Sequence, residues 1–230
     1  MDYPIMHFLN RFSRKYPVLD CSLQFLASDY LISGIFLLSL ICYVWFCSAE
    51  IRYRQRILIG TMGAAFSGIF SRVLQLTLPT HLRPLHDPGL NFLPPEGLNP
   101  DALNHWNSFP SDHAAAFFGL AAVIFFSKAR LGYLAFVWIA IVSGGRIYLG
   151  YHYPTDILAG AALGVFSVSM LQGRFHLFGS WLLSFEKRAA PAFYMAAFLV
   201  AYQIGTLFDD VRSLLTMGCI KAFFKHLLHL

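Results

Sequence analysis

Charge is what this sequence has least of. Asp, Glu, Lys and Arg make up 13% of its 230 residues, where a soluble domain carries about a quarter. Apolar residues make up 57%, and mean hydropathy is +0.57. That balance excludes a single soluble core and predicts a polytopic membrane protein. Cysteine is scarce too. Cys21, Cys42, Cys47 and Cys219 form no Cys-x-x-Cys pair, and Cys42 and Cys47 point to different faces of any helix carrying both. They read as small apolar positions, not as a zinc site or a disulfide framework. The N-terminus lacks a short apolar core followed by a small-residue cleavage site, so it does not read as a cleavable signal. Repeats and low-complexity tracts are also missing. The net charge of +5 lies in loops, which the positive-inside rule explains without a nucleic-acid face.

Long apolar runs are what the sequence does have. A membrane helix needs about 20 mainly apolar residues. Six candidates follow: Tyr30 to Ala49, Ile57 to Leu78, His113 to Ser127, Leu131 to Leu149, Ile157 to Leu171, and Pro191 to Phe208. The expected fold is all-α, a single bundle over residues 1–230. Residues 1–29 mix Arg11, Arg14 and Lys15 with Phe8, Leu9, Leu19, Leu23, Phe25 and Leu26. That pattern predicts an amphipathic or re-entrant helix, or one further span. Residues 210–230, with Lys221, Lys225, His226 and His229, predict an interfacial tail helix.

Basic loops give the orientation. Arg52, Arg54 and Arg56, then Lys128 and Arg130, then Arg174, Lys187 and Arg188 fall in alternate connections. The rule places these in the cytoplasm and sends loops 79–112 and 150–156 outward. Arg11, Arg14 and Lys15 dissent. Loop 79–112 holds seven prolines, Pro79, Pro84, Pro88, Pro94, Pro95, Pro100 and Pro110, so it is neither span nor strand. It is an ordered cap or a mobile lid.

Three short segments share the outward side. They are Arg83-Pro84, Pro110-Ser111-Asp112-His113, and Gly145-Arg146 running on to His152 and Asp156. Each has an ordinary reading: Arg83 a headgroup contact, His113 an interfacial or capping residue, Asp156 a helix N-terminal acid. Arg146 follows an apolar run, and an ionisable group at such depth points to function. All the ordinary readings holding at once, on one side, is the weaker account. The chemistry that suits the set is phosphate chemistry. Paired guanidiniums fork onto phosphoryl oxygens. Ser111 begins a helix whose free N–H groups favour an anion. A carboxylate at Asp156 can fix the tautomer of His152 so that its other nitrogen attacks. His113 can then protonate the leaving oxygen.

Arg-Pro, Pro-Ser-x-His and Arg-x5-His-x3-Asp, in that order, resemble the signature of the type-2 phosphatidate phosphatase superfamily. Its members include membrane lipid phosphatases and vanadium haloperoxidases; the six spans exclude a soluble enzyme of the latter kind. The resemblance implies a phosphohistidine at His152 supported by Asp156, with His113 as general acid. It implies phosphate binding by Arg83, Ser111 and Arg146, and no metal or other cofactor; the Asp112 N–H can still face the phosphate. The sequence departs from the pattern in four ways. Leu76 stands where the family has a lysine. Arg72, one turn earlier, either reaches up in its place or is a structural arginine. Gly145 replaces a common serine. Asp112 replaces the commoner glycine, with its side chain pointing away or tuning His113. One fewer helix precedes Arg83 than the family usually has. Pro-Ser-Asp-His is similar to the form in bacterial undecaprenyl pyrophosphate phosphatases.

These readings predict a lipid (pyro)phosphate phosphatase of the bacterial inner membrane, with an outward-facing site. Undecaprenyl pyrophosphate is the leading substrate. A lipid-linked phosphotransferase, or a phosphatase for phosphatidic acid or phosphatidylglycerol phosphate, are the alternatives, and a non-catalytic lipid-binding scaffold is the reading from another class. Partners are lipid substrate and membrane lipids, with no nucleic acid. Trp106, Tyr148, Tyr151 and Tyr153 read as an interfacial aromatic belt in preference to a headgroup pocket. His81, His86 and His105 read as polar loop positions, with a smaller chance that one meets a second phosphate.

Overall fold

The computed structural model describes residues 2–207, except 29, 48–49 and 105. The described residues are all-helical: α1 (Asp2–Asn10), α2 (Pro17–Ser28), α3 (Tyr30–Cys47), α4 (Ile51–Thr77), α5 (Asp112–Ser127), α6 (Ala129–Tyr148), α7 (Pro154–Arg174), α8 (His176–Arg188) and α9 (Ala190–Gly205). A 3-10 turn at Pro84–His86 interrupts the long loop.

Helix α5 is the axis of the bundle, packed against α3, α4, α6 and α7. Its sequence is apolar all round, which is the mark of an enclosed helix. Small residues bring its neighbours close. On α4 they recur at helical spacing as Gly60, Gly63, Ala64, Ser67, Gly68 and Ser71, all buried. A Cβ on Gly119 would lie 2.9 Å from that of Ala64, and one on Gly164 would lie 2.1 Å from the Ala115 carbonyl oxygen. Such close approach is how helices associate where no hydrophobic force separates protein from lipid.

Among the described residues, three helices are long and apolar enough to cross a membrane: Ile51–Thr77, Ala129–Tyr148 and Pro154–Arg174. A pair bent by 52°, Pro17–Ala27 with Ile32–Cys47, brings the number to as many as four. The sequence had suggested six. Two of those runs, Asp112–Ser127 and Ala190–Gly205, form helices of 16 residues, about 24 Å long at 1.5 Å per residue. Enclosure in the bundle frees α5 from having to span lipid alone.

Residues 1–29 were expected to form an amphipathic or re-entrant helix, or one further span, and the structure divides them into two helices. Helices α1 and α2 lie at the end of the bundle that carries loop 79–112. Asn10 donates to the Leu93 carbonyl at 2.8 Å, and Arg14 Nε to that of Pro94 at 2.8 Å. Tyr3 and Tyr153 both donate to Asp87 Oδ2, at 2.6 and 2.7 Å. Arg14 is thus committed to a loop carbonyl, which explains how a basic residue sits opposite the other basic loops. Loop 79–112 is the ordered cap, not a loose lid. At the other end α8 packs on α4, and Arg54 pairs with Glu186. Cys21, Cys42 and Cys47 are free thiols on exposed positions. Cys219 and the tail 210–230, with its lysines and histidines, lie outside the described residues, as does His105.

Candidate active site

The site is assembled from three connections at one end of the bundle. Gly150, with φ of +74°, reverses the chain after α6, a conformation that suits glycine. Its carbonyl accepts from Leu85 N at 3.0 Å, which draws the Pro84–His86 turn beside the 149–153 loop. Pro154 then opens α7 at its first turn, where a missing N–H does no harm. Ser111 caps α5, its Oγ accepting from Ala114 N at 3.3 Å, and its own N–H donates to the Asp156 carbonyl at 3.1 Å. The starts of α5 and α7 are thereby tied together.

Arg83 is held by three carbonyls. Nε donates to Trp106, Nη1 to Tyr151 and Nη2 to Asn107, at 3.2, 2.6 and 3.2 Å. Nη1 also lies 3.3 Å from His152 Nε2. Burial lowers the Arg83 pKa to about 10, against the pull of Asp112, while Arg146 adds to the lowering. The guanidinium therefore stays charged at neutral pH, in a field set by the other residues singled out from the sequence.

His152 is fully buried, and its two ring nitrogens meet different partners. Nδ1 lies 3.0 Å from the Ser108 carbonyl. A carbonyl only accepts and a guanidinium only donates. Together they set one tautomer, with the proton on Nδ1 and a lone pair on Nε2. Burial, and after it the Arg83 charge, pushes the ring pKa down to about 4. The ring is neutral at pH 7.

Asp156 was expected to fix that tautomer directly. Its Oδ2 is 3.6 Å from His152 Nδ1, beyond a hydrogen bond. The same oxygen accepts from Ser108 Oγ at 2.5 Å and Tyr153 N at 2.8 Å. Asp156 thus orients Ser108, and the Ser108 carbonyl orients the ring. Ser108 and its neighbour Asn107 were not singled out from the sequence. Asn107 Oδ1 accepts from the N–H groups of His81 and Phe109, and its Nδ2 donates to the Gln75 and Pro79 carbonyls. Their one sequence signal is position: two polar residues immediately before Phe109-Pro110.

The Asp112 side chain turns to His113. Oδ1 accepts from His113 N and lies 2.9 Å from its Nδ1, so the side chain does not point away from the histidine. Arg72 reaches this corner. Its guanidinium stacks on Trp106 at 3.6 Å, donates to Gln75 Oε1 at 2.5 Å, and approaches Asp112 Oδ2 at 3.9 Å. Leu76 is 76% exposed, and it is Gln75, 5% exposed, that faces inward and donates to the Pro110 carbonyl at 2.6 Å. Arg146 donates to the Ala27 carbonyl at 2.7 Å and lies over Tyr151.

One smaller expectation changes. Tyr148, Tyr151 and Tyr153 are buried, and Tyr148 and Tyr153 donate to Asp20 and Asp87, so they form no aromatic belt. His86 ties to the Ala102 carbonyl at 2.9 Å, whereas His81 Nδ1 lies 3.9 Å from Asp156 Oδ1. Among the described residues no three His, Cys, Asp or Glu side chains converge as a metal site would need.

Residues 79–176 match the family model of the PAP2 superfamily. The chain carries a PAP2 superfamily domain. That stretch holds every motif residue from Arg83 to Asp156. Over 161 residues the chain is 29% identical to the bacitracin transport permease protein BcrC of Bacillus licheniformis, covering 70% of this chain and 73% of that one. It is 31% identical over 145 residues to the putative undecaprenyl-diphosphatase YbjG of Escherichia coli, covering 61% and 66%. The lipid A 4'-phosphatase of Bacteroides thetaiotaomicron is 40% identical over 79 residues, 34% of this chain and 30% of that one. In fold the chain is similar to the first transmembrane PAP2-type phosphatidylglycerolphosphate phosphatase from Bacillus subtilis to be crystallised. The TM-score is 0.50 at 21% identity, over 75% of this chain and 83% of that one.

Proposed function

We propose that this PAP2 protein is a membrane lipid phosphatase that cleaves a lipid pyrophosphate, undecaprenyl pyrophosphate first among candidates, through a phosphohistidine at His152. The observation that carries the reading is the tautomer of His152. A neutral ring with its lone pair on Nε2, beside a fixed guanidinium, is a nucleophile next to a phosphate ligand. The name of the YbjG relative, a putative undecaprenyl-diphosphatase, supports the lipid pyrophosphate.

The phosphoryl group to be transferred sits between Arg83, Arg146 and the N-terminus of α5, where Ser111 and Asp112 supply backbone N–H groups. His152 Nε2 attacks phosphorus. An N–P bond forms as the P–O bond to the leaving phosphate ester breaks. His113, its Nδ1 held by Asp112, gives the proton on Nε2 to the leaving oxygen. A carboxylate on one nitrogen stabilises the ring while the other carries a proton to be donated. Water then attacks phosphorus and loses its proton to His113. The N–P bond breaks, inorganic phosphate leaves, and His152 regains its lone pair. Ser108 and Asp156 hold the Nδ1 proton in place throughout.

The basic residues Arg52, Arg54, Arg56, Lys128, Arg130, Lys187 and Arg188 all belong to the end opposite this site. That supports an outward-facing site in a bacterial inner membrane. The test is phosphate release by detergent-purified protein from undecaprenyl pyrophosphate, phosphatidylglycerol phosphate and phosphatidic acid, with EDTA present. The expected result is release that is fastest from the pyrophosphate and lost in His152→Ala. Equal release by His152→Ala, or a preference for a monophosphate, would contradict it.

A further inference from the structure

Helix α2 lies outside the residues matched by the family model, yet it is braced against the turn that carries Arg146. At its C-terminal end the Ala27 carbonyl accepts from Arg146 Nη1 at 2.7 Å. The last carbonyls of a helix carry its negative partial charge, which suits a guanidinium. At its N-terminal end Asp20 is fully buried. Its Oδ2 accepts from Arg14 N at 2.9 Å and Glu96 N at 3.1 Å, and its Oδ1 accepts from the Tyr148 hydroxyl. Tyr148 stands two residues beyond Arg146 on α6. One carboxylate therefore joins α2, the cap loop and the end of α6. Between these two anchors α2 leans on Gly145: a Cβ there would lie 3.1 Å from Ala27 Cβ and 3.6 Å from the Leu23 carbonyl oxygen. The glycine that stands in place of a serine is what lets α2 come this close.

We propose that α2 is a splint for the phosphate site, with Asp20 and Tyr148 as positioning residues that act through Arg146. This rests on the reading of Arg146 as a phosphate ligand. Asp20 and Tyr148 touch no substrate. They fix where the Ala27 carbonyl stands and hence where the Arg146 guanidinium points. Loss of either leaves the charge present but aimed less well, so the transition state suffers more than folding does.

The test uses full-length protein in detergent and reads three quantities: kcat/KM for lipid pyrophosphate, inhibition by orthovanadate as a phosphate mimic, and Tm. Variants are Tyr148→Phe, Asp20→Asn, Arg146→Lys and the Tyr148→Phe/Arg146→Lys double. Tyr148→Phe removes one hydroxyl and keeps every other bond of Asp20, so it remains informative where Asp20→Asn does not fold. The expected result is a loss of about tenfold in kcat/KM and in vanadate inhibition for Tyr148→Phe, the scale of one hydrogen bond to a charged group. In the Arg146→Lys background the same change costs nothing further, as coupled residues require. Wild-type vanadate inhibition in Tyr148→Phe, or losses that multiply in the double variant, would overturn the splint while leaving the phosphatase standing. A wild-type protein that neither releases phosphate nor is inhibited by vanadate overturns the phosphatase reading and the splint together.

Discussion

Arg83 Nη1 and His152 Nε2 face each other at 3.3 Å, with the guanidinium anchored to the backbone on its other sides. The contact turns the Nε2 lone pair toward the guanidinium and places a positive charge beside it. A lysine could not reproduce this, because its ammonium makes no planar fork to three carbonyls. Arg83→Lys is expected to lower kcat by about 10²-fold or more, in line with loss of a transition-state charge partner. Steady-state kinetics on the purified variant check it; a change confined to KM would show that Arg83 only binds.

The lowered pKa of His152, about 4, sets a pH expectation. A lowered value keeps the ring neutral, and so nucleophilic, as pH falls past the ordinary histidine range near 6.5. The acidic fall in kcat/KM caused by this residue therefore comes near pH 4. A pH profile shows it directly. A nucleophile titrating near about 6.5 would mean that His152 is not buried as described.

Asp112 and His113 give a leaving-group test. If His113 protonates the departing oxygen, its loss hurts poor leaving groups most. His113→Ala, and Asp112→Asn to a lesser degree, are expected to reduce hydrolysis of an alkyl monophosphate by about 10²-fold or more. Turnover of p-nitrophenyl phosphate, whose leaving group needs no proton, should fall far less. Equal losses on both substrates would remove His113 from the acid role.

Arg72 and Leu76 separate charge from helix position. Leu76 faces away from the site, so Leu76→Lys is expected to leave kcat/KM within about threefold of wild type, the scale of a surface change. Arg72→Gln is expected to raise KM for the lipid pyrophosphate, since its guanidinium stands beside Asp112 at the mouth of α5. A gain of activity in Leu76→Lys would show that the outer face of α4 turns inward when substrate binds.

What the sequence made legible was the part written in residue identity and spacing. Arg146 at the end of α6, His152 on the turn that follows and Asp156 in the first turn of α7 are close in sequence, as are Ser111 to His113 at the mouth of α5, so linear spacing predicted each grouping. The Ser108 carbonyl could not be foreseen, because a backbone acceptor leaves no trace in residue type. Asp20 meets partners as far away as Glu96 and Tyr148, and no local pattern encodes such pairings. The aromatic belt expected at Tyr148 and Tyr153 failed because both rings are buried and their hydroxyls find carboxylates, Asp20 and Asp87. The number of spans was not legible in the sequence, because a run of apolar residues reads the same whether it faces lipid or other helices.

The measurement that tests the central claim most directly is trapping of the covalent intermediate. Protein is mixed with radiolabelled lipid pyrophosphate, quenched rapidly in base, digested and sequenced by mass spectrometry. The account predicts a label that survives base, is lost in acid, and sits on Nε2 of His152. Label on Nδ1, on another residue, or undiminished in His152→Ala would contradict it.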